Sequence, residues 1–243
     1  MSLPALDIPS LLHRHGLRPE KSLGQNFLID ESALQNVVEI AHISPQDIVL
    51  EIGAGLGSLT RYLAVAAHSV VAVELDEKLL PLLHHVLTPY PNVNIVHGDI
   101  LRLHPTHLVA EPGYLVVANI PYYITSALIR HLLESPSKPS RLVLTVQKEV
   151  AQRICAAPGD LSLLALSVQV YGQPTIAAHI PAAAFYPPPK VDSSVLCVDI
   201  YPVPRIPSHL LEPFFRLTKA GFSQKRKTLR NALAGGLGWS TTK

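Results

Sequence analysis

The sequence predicts an α/β fold built on a mostly parallel sheet. From residue 45 onward, short apolar runs typical of buried strands alternate with stretches whose apolar residues recur at helical spacing. A glycine-rich loop follows the first of these strands, and a polar residue follows each of the next ones. Strands that alternate with helices need crossover connections, which produce parallel sheets. The chain has 243 residues, 48% of them hydrophobic, which is enough to bury a full core.

The segment before this series predicts two helices and a loop. Residues 8–15 fit a short helix that ends at Gly16. Residues 21–29 mix polar and aromatic side chains without a regular period, which predicts a loop. Asp30 is a good N-cap for the second helix, whose buried face contains Leu34, Val37, Val38 and Ala41.

The strands and helices of the α/β series follow in order. The predicted strands are residues 47–52, 70–73, 93–96, 114–118 and 141–146. Helices are predicted to begin at Ser58, near Leu79, at Ile124 and after Glu149. A proline-rich stretch, residues 180–191, predicts a rigid loop near the site, and a last strand is predicted at residues 194–200.

The glycine loop and two carboxylates at strand ends indicate a cofactor that contains adenosine. Gly53 and Gly55 allow a ligand to approach the backbone closely at a helix N-terminus. Glu74 ends the next strand and suits ribose hydroxyls, and Asp99 follows the third strand and suits an adenine amino group. A dinucleotide fingerprint needs glycine where Ser58 stands, so S-adenosylmethionine is favoured over NAD. The alternative is that both carboxylates only cap helices.

Residues 119–123, directly after a predicted strand, suit chemistry on an exocyclic amino group. The side-chain oxygen of Asn119 and the backbone carbonyl of Ile120 can accept both N–H bonds of such a group. Pro121 makes the turn rigid, and Tyr122 can stack on the base. Positioning and carbonyl dipoles would then supply the catalysis without a metal, because a sulfonium is already an activated methyl donor. The alternative is an ordinary strand-to-helix turn closed by proline.

The C-terminal part of the chain carries a basic stripe that predicts RNA binding. Residues 214–230 contain no acidic side chain, and their cations are Arg216, Lys219, Lys225, Arg226, Lys227 and Arg230. Such a stripe can neutralise phosphates without reading bases. Lys190, in the proline-rich stretch, is a further candidate for RNA contact. The alternative is a solvated helix face.

The composition of the chain indicates its cellular compartment more clearly than its function. Cys155 and Cys197 stand in apolar runs without metal or redox spacing, which favours buried thiols in a reducing compartment. The N-terminus lacks a secretory pattern, and no apolar run approaches membrane-spanning length. We therefore expect a cytoplasmic protein without a membrane partner. A net charge of +2 is too small to indicate nucleic acid by itself.

Ordered motifs over nearly the whole chain resemble the ribosomal RNA adenine N6-dimethyltransferase family. The matching segments are residues 21–28, 50–57, 73–76, 97–99, 119–122, 147–153 and 185–193. The resemblance implies a Rossmann-like, S-adenosylmethionine-dependent methyltransferase that dimethylates two adjacent adenosines of small-subunit (16S) ribosomal RNA during ribosome biogenesis. It also implies ribosomal RNA within a small-subunit assembly particle as the partner, and we expect a monomer.

The same resemblance assigns roles to individual residues. It implies that the cofactor is bound by Asn26, Leu28, Gly53, Gly55, Glu74, Asp99 and Asn119. It implies a catalytic set of Asn119, Pro121, Tyr122 and Phe185, in which Tyr122 stacks on the flipped adenine and Phe185 covers its other face. Many relatives place Leu and Asn where this chain has Ile120 and Tyr123, so chemistry should survive while substrate fit changes.

Three alternatives to this function are open. An antibiotic-resistance type of large-subunit adenine methyltransferase is one, although residues 187–193 and 221–230 resemble the housekeeping branch more. A non-catalytic RNA-binding or assembly protein is the second, although none of the chemical positions is lost. An NAD-dependent oxidoreductase is the third, and Ser58 together with residues 119–122 speaks against it.

The domain organisation is predicted from the last strand and the prolines after it. Residues 1–203 are expected to form the cofactor-binding domain with an N-terminal extension, and residues 204–243 a small helical RNA-binding segment. Because relatives continue with further helices, we expect this segment to be incomplete.

Overall fold

The structure is a computed structural model that describes residues 3–224 and 226–239. The helices are α1 (Ile8–Arg14), α2 (Glu31–Ala41), α3 (Ser58–Ala66), α4 (Leu80–Leu87), α5 (Pro105–Leu108), α6 (Thr125–Leu133), α7 (Lys148–Ile154), α8 (Leu163–Gln169), α9 (Ser208–Phe222) and α10 (Leu229–Leu237). The strands are β1 (Phe27–Leu28), β2 (Ile48–Ile52), β3 (Ser69–Glu74), β4 (Val93–His97), β5 (Leu115–Asn119), β6 (Arg141–Gln147), β7 (Gly172–Ile180), β8 (Phe185–Tyr186) and β9 (Ser193–Ile200). Within the described ranges, no helix combines the length and apolar composition that crossing a membrane requires.

A seven-stranded sheet in the order β4-β3-β2-β5-β6-β9-β7 organises the fold. Strands β2 to β6 are parallel to one another, which confirms the predicted mostly parallel sheet, whereas β9 is antiparallel to both β6 and β7. The chain leaves β2 towards β3 and β4 on one side and returns to β5 and β6 on the other. The carboxyl ends of β2 and β5 therefore flank the point at which the strand order reverses, where open sheets of this kind bind ligands.

Two apolar layers cover the two faces of the sheet. Along β5, Val116 and Ala118 belong to one buried cluster, and Leu115 and Val117 to the other, as the alternation of side chains along a strand requires. Each fully buried Val or Leu stabilises the fold by about 1.5–3 kcal/mol through the apolar surface it removes from water. These layers hold the strand ends rigidly, so the loops after them keep a defined geometry.

A two-stranded ladder joins the N-terminal extension to the proline-rich stretch. Strands β1 and β8 are antiparallel, with Phe27 opposite Tyr186 and Leu28 opposite Phe185. Residues 21–29, predicted as a loop, therefore contain a short 3-10 turn (Lys21–Leu23) followed by β1. A strand of two residues is too short to show a period of two, and its partner lies far along the chain, so the pattern did not indicate it.

Helices α9 and α10 pack against each other, and α9 contacts the sheet domain. The Phe215 ring stacks on Tyr171 with ring centroids 6.2 Å apart. Gly236 of α10 meets Ala220 of α9 so closely that a Cβ at Gly236 would lie 2.6 Å from the Ala220 Cβ. The boundary between residues 203 and 204 stays a prediction.

Candidate active site

The loop between β2 and α3 lies against the switch point and needs glycine for conformational reasons. Gly53 and Gly55 have φ of +75° and +59°, a region that side chains disfavour. A Cβ at Gly55 would also lie 3.0 Å from the ring of Phe27. The glycines therefore let the loop fold tightly and leave its backbone facing the space between β2 and β5.

Backbone hydrogen bonds fix the carboxylate of Glu74 at the end of β3. Its Oε2 accepts a hydrogen bond from the Gly55 N–H at 2.7 Å, and its Oε1 accepts one from the Asp76 N–H at 2.8 Å. Burial raises the pKa of Glu74, while these N–H groups act in the opposite direction. The carboxylate thus connects the glycine loop to the end of the neighbouring strand and stands ready to accept further hydrogen bonds.

Glu51, inside β2, is a second carboxyl group at the site. It is 1% exposed, and its Oε2 has no hydrogen-bond partner in the part of the chain that the structure describes. Burial raises the pKa of Glu51 to about 8; the Thr60 hydroxyl acts in the opposite direction, and the negative charge of Glu74 adds a smaller rise. A buried carboxyl oxygen without a partner, beside a cavity, is suited to a cationic or hydrogen-bonding ligand group.

Asp99, after β4, both caps a turn and borders the cavity. Its Oδ1 accepts a hydrogen bond from the Leu101 N–H at 3.0 Å, and its Oδ2 lies 3.5 Å from Nε of Arg102. The capping alternative raised from the sequence therefore describes a real contact of Asp99. This contact is compatible with the predicted hydrogen bond to an adenine amino group, because the Asp99 side chain also lies in the cavity wall.

The amide of Asn119 is oriented by the N-terminal extension. Its Nδ2 donates to the backbone carbonyl of Asn26 at 3.0 Å, and Asn26 Nδ2 donates in turn to the carbonyl of Gly24 at 3.1 Å. Among the described residues, Oδ1 of Asn119 has no hydrogen-bond partner. The nitrogen of the amide is therefore occupied, and its oxygen is available as an acceptor.

Tyr122 is anchored at its hydroxyl by a strand from the antiparallel side of the sheet. The Tyr122 hydroxyl and Ser193 Oγ are 2.7 Å apart, and Ser193 is fully buried at the start of β9. Burial raises the pKa of the Tyr122 phenol, so the hydroxyl is neutral around pH 7 and can act as donor or acceptor. The hydrogen bond holds the far end of the side chain and so fixes the position of the ring.

These groups surround one cavity, with about 1040 Å³ of empty space that includes open solvent. Of the residues predicted from the sequence, its wall contains Asn26, Leu28, Gly53, Gly55, Glu74, Asp99, Asn119, Pro121 and Tyr122. Phe185 is different: it is 2% exposed, belongs to the apolar core and is not part of this wall. Its role on the face of the adenine stays a prediction.

The predicted RNA-binding residues lie outside the cavity, on the surface. Arg216 and Lys219 are exposed on α9, Arg226 and Lys227 on the turn that follows, and Arg230 on α10. Lys190 is exposed in the proline-rich stretch, and Lys225 lies outside the described residues. In residues 3–224 and 226–239, no group of three or more His, Cys, Asp or Glu side chains is arranged to hold a metal ion.

Three residues of the site were not singled out from the sequence. Glu51 is an acidic residue in an otherwise apolar strand, and this pattern already indicates a buried carboxyl group. Gln25 donates from Nε2 to Asp76 Oδ2 at 2.8 Å and so ties the extension to the end of β3. Ser193 gave no signal, because its contact with Tyr122 depends on how β9 pairs with the sheet.

Comparison with known proteins gives a consistent family. The family model for ribosomal RNA adenine dimethylase matches residues 16–239. The chain is 46% identical to ribosomal RNA small subunit methyltransferase A of Dehalococcoides mccartyi, over 98% of this chain and 84% of that one. It is 41% identical to the protein of the same name in Alkaliphilus metalliredigens, over 94% of this chain and 82% of that one.

Solved structures agree with the fold and with the family. The 23S rRNA methyltransferase ErmE has a TM-score of 0.74 and 30% identity, over 86% of this chain and 84% of that one. A dimethyladenosine transferase from Plasmodium falciparum has a TM-score of 0.72 and 30% identity, over 85% of this chain and 74% of that one. These neighbours confirm the predicted Rossmann-like methyltransferase fold, and the family implies a methyl donor of the S-adenosylmethionine type. The chain belongs to the ribosomal RNA adenine dimethylase family.

Proposed function

We propose that the protein transfers methyl groups from S-adenosylmethionine to N6 of two adjacent adenosines in small-subunit ribosomal RNA. The observation that carries the proposal is the oriented amide of Asn119, whose Nδ2 is held by Asn26 while its oxygen is left to accept. An amino group on a planar base needs such an acceptor. The close relatives named ribosomal RNA small subunit methyltransferase A support the choice of substrate.

The chemistry of the cavity fits the cofactor. Glu74 is placed to accept hydrogen bonds from ribose hydroxyls, and Asp99 from the adenine amino group. The unpartnered Oε2 of Glu51 suits a cationic part of the ligand, and the loop at Gly55 has no room for a side chain. When bound, S-adenosylmethionine supplies a methyl group on a positively charged sulfur, which is already activated for transfer.

The residues around Asn119 would act by positioning the nucleophile. The oxygen of Asn119 and the carbonyl of Ile120 accept the two N–H bonds of the adenine N6 group and favour a more tetrahedral nitrogen. Tyr122, whose hydroxyl is held by Ser193, stacks on the base, and Pro121 keeps the turn rigid. Phe185 is proposed to supply apolar surface on the other side of the base. Alignment of the nitrogen lone pair with the methyl group then provides most of the rate increase.

RNA docking is proposed for the basic stripe, residues 214–230, within the C-terminal helical segment. The described cations of the stripe are exposed, and Arg216 and Lys219, three positions apart on α9, lie on one face of the helix. Cations on such a surface bind the phosphate backbone whatever its sequence, while the cavity selects the adenine. We further propose that the protein acts as a monomer on a partly assembled small subunit.

The second candidate is methylation of large-subunit RNA. The TM-score of 0.74 to the 23S rRNA methyltransferase ErmE favours it, since the fold match is as good as that to the dimethyladenosine transferase. The sequence favours small-subunit RNA, because identity rises to 46% with a relative named for that substrate, compared with 30% to ErmE. Substrate choice is therefore the first thing to measure.

The test is transfer of labelled methyl from S-adenosylmethionine to unmethylated small ribosomal subunits, with naked large-subunit RNA in parallel. We expect label on adenine N6 of small-subunit RNA. Asn119→Ala should lower the rate by about a hundredfold or more, the usual cost of losing an oriented polar group at a reacting centre. The matched control is Asn94→Ala, which changes an exposed asparagine of β4 outside the cavity wall and should keep the full rate.

Two outcomes would replace the proposal. Label found only on large-subunit RNA would assign the protein to the second candidate. No label on either RNA, together with measurable cofactor binding by calorimetry, would indicate an assembly protein that keeps the cofactor site without catalysis.

A further inference from the structure

Tyr123 is an exposed aromatic side chain at the mouth of the active-site cavity. It follows Tyr122 in the 3-10 turn Tyr122–Ile124, and both tyrosines belong to the cavity wall. The two side chains differ in their surroundings: Tyr122 is half-buried and hydrogen-bonded to Ser193, whereas Tyr123 is 61% exposed. Within the described residues, the Tyr123 hydroxyl has no hydrogen-bond partner. No hydrogen bond or ion pair in the described part of the chain therefore depends on an aromatic side chain at this position.

The N-terminal extension nevertheless supports the ring. Gly24 ends the 3-10 turn Lys21–Leu23 in the left-handed region, with φ of +65°. A Cβ at Gly24 would lie 3.3 Å from Tyr123 Cδ1 and 3.4 Å from Cε1, so the ring edge rests against the glycine backbone. The same Cβ would lie 3.3 Å from the Cβ of Pro121. The ring is thus supported on one side, while most of its surface faces solvent.

A supported, exposed ring at this place suits a nucleobase. An enzyme that modifies a base in RNA takes the base out of its stack, so the neighbouring base loses a stacking partner. Proteins that bind single-stranded nucleic acid offer aromatic rings to such bases. The turn beside the ring carries both Lys21 and Glu20, whose charges offset each other, so it is not primarily a phosphate site.

We propose that Tyr123 stacks on a nucleobase adjacent to the adenine that Tyr122 holds in the cavity. This role rests on the proposed function, because it requires RNA with an extruded adenine as substrate. It adds a subsite for a second base of the same RNA, separate from the reacting groups.

The test compares Tyr123→Ala, Tyr123→Leu and Tyr123→Phe. Both the Kd for unmethylated small subunits, by co-sedimentation, and the KM and kcat of methyl transfer are measured. Stacking on one base is worth about 1–3 kcal/mol, which corresponds to roughly 5- to 150-fold in affinity. We expect Tyr123→Ala and Tyr123→Leu to raise Kd and KM about tenfold, Tyr123→Phe to stay within about threefold of the original protein, and kcat to change little.

Val65→Ala is the control, because Val65 is an apolar residue of α3 that is 50% exposed and lies outside both the cavity wall and the segment proposed to bind RNA. It should leave Kd and KM unchanged, and cofactor affinity should be unchanged in every variant.

Several results would overturn the inference. Unchanged Kd and KM in Tyr123→Ala or Tyr123→Leu would mean that the ring makes no contact with RNA. A Tyr123→Phe protein as weak as Tyr123→Ala would assign recognition to the hydroxyl group instead of stacking. A fall in kcat with unchanged KM would mean that Tyr123 acts through Tyr122. Failure of the proposed function gives a different result, because the unmodified protein would then label no RNA. The comparison of Kd values would still show whether the Tyr123 ring contacts RNA.

Discussion

Glu51 shows how a single buried carboxyl group makes the site sensitive to pH. Its pKa of about 8 lies well above the ordinary value of 4.5, because burial disfavours the charged form. Below the ordinary value both folded and unfolded states hold the proton. Between the two values only the folded state holds it, so the free energy of unfolding falls as pH rises. The stability that the protonated Glu51 contributes is lost once the pH exceeds its pKa in the folded state.

This argument predicts a difference between the original protein and Glu51→Gln. Without cofactor, stability should decline from pH 5 to pH 8.5 more steeply in the original protein, by on the order of a few kcal/mol, since each unit of pKa shift is worth about 1.4 kcal/mol. The measurement is urea unfolding at several pH values. Glu212→Gln, an exposed glutamate of α9, controls for the general loss of a charge. Parallel curves for Glu51→Gln and the original protein would show that the carboxyl group is already ionised.

Most of the cofactor-binding and catalytic residues predicted from the sequence lie in the cavity wall, for a simple geometric reason. Parallel strands bring their carboxyl ends to one edge of the sheet, so residues at or just after the strand ends, such as Glu74, Asp99 and Asn119, meet there. The hydrogen bonds that orient them could not be predicted in this way. The partner of Asn119 is a backbone carbonyl of the distant extension, at Asn26, which no local pattern connects to β5.

Strand β9 holds the side chain of Tyr122, which lies in the turn after β5. It enters the sheet antiparallel to β6, with Ser193 opposite Gln147, and this register delivers the serine to the Tyr122 hydroxyl. The antiparallel half of the sheet thus sets the orientation of a ring that the parallel half carries.

We predict that Ser193→Ala and Tyr122→Phe have the same functional cost. Each removes the same hydrogen bond, worth about 1 kcal/mol, so each should lower kcat/KM about fivefold. The double variant should be no worse than either single variant, because the interaction can be lost only once. Ser194→Ala is the matched control: this serine is equally buried but is hydrogen-bonded to His179 at 2.9 Å. Additive losses in the double variant would contradict the coupling.

The antiparallel end of the sheet also marks the limit of the sequence prediction. Strand β7 was not predicted, although its nine residues make the edge of the sheet. It begins at Gly172, contains Pro174 and carries a register shift between Ile176 and Ala178, so the expected alternation is interrupted. The edge position explains this composition, since an edge strand tolerates proline.

At the scale of the molecule, the sheet domain and the helical pair α9–α10 are proposed to bind different ligands. The cavity lies wholly in residues of the sheet domain and its N-terminal extension, whereas the basic stripe lies on the pair. The close approach of Gly236 to Ala220 holds the pair together. A substitution that disrupts this contact should therefore weaken RNA binding without changing cofactor binding.

We predict that Gly236→Ala weakens binding to small subunits while cofactor affinity stays the same. The new Cβ would lie 2.7 Å from the Ala220 Cα, which forces α9 and α10 apart at a cost of about 1–3 kcal/mol. Co-sedimentation and calorimetry measure the two affinities. Gly235→Ala is the control, because its Cβ would come no closer than 3.5 Å to Gln224 and alanine favours the helix. Equal loss of both affinities in Gly236→Ala would mean that the two parts do not bind independently.

The ladder between β1 and β8 has a consequence for synthesis of the protein on the ribosome. Leu28 belongs to the cavity wall, and its strand partner, Phe185, lies near the other end of the chain. The parallel strands up to β6 emerge from the ribosome before this partner exists, so a nascent chain can assemble the parallel part of the sheet while its cavity still lacks a fixed wall. The cofactor cavity is therefore among the last features to form. A protein whose translation is interrupted before β8 would contain every glycine and carboxylate of the site without the ladder that closes it.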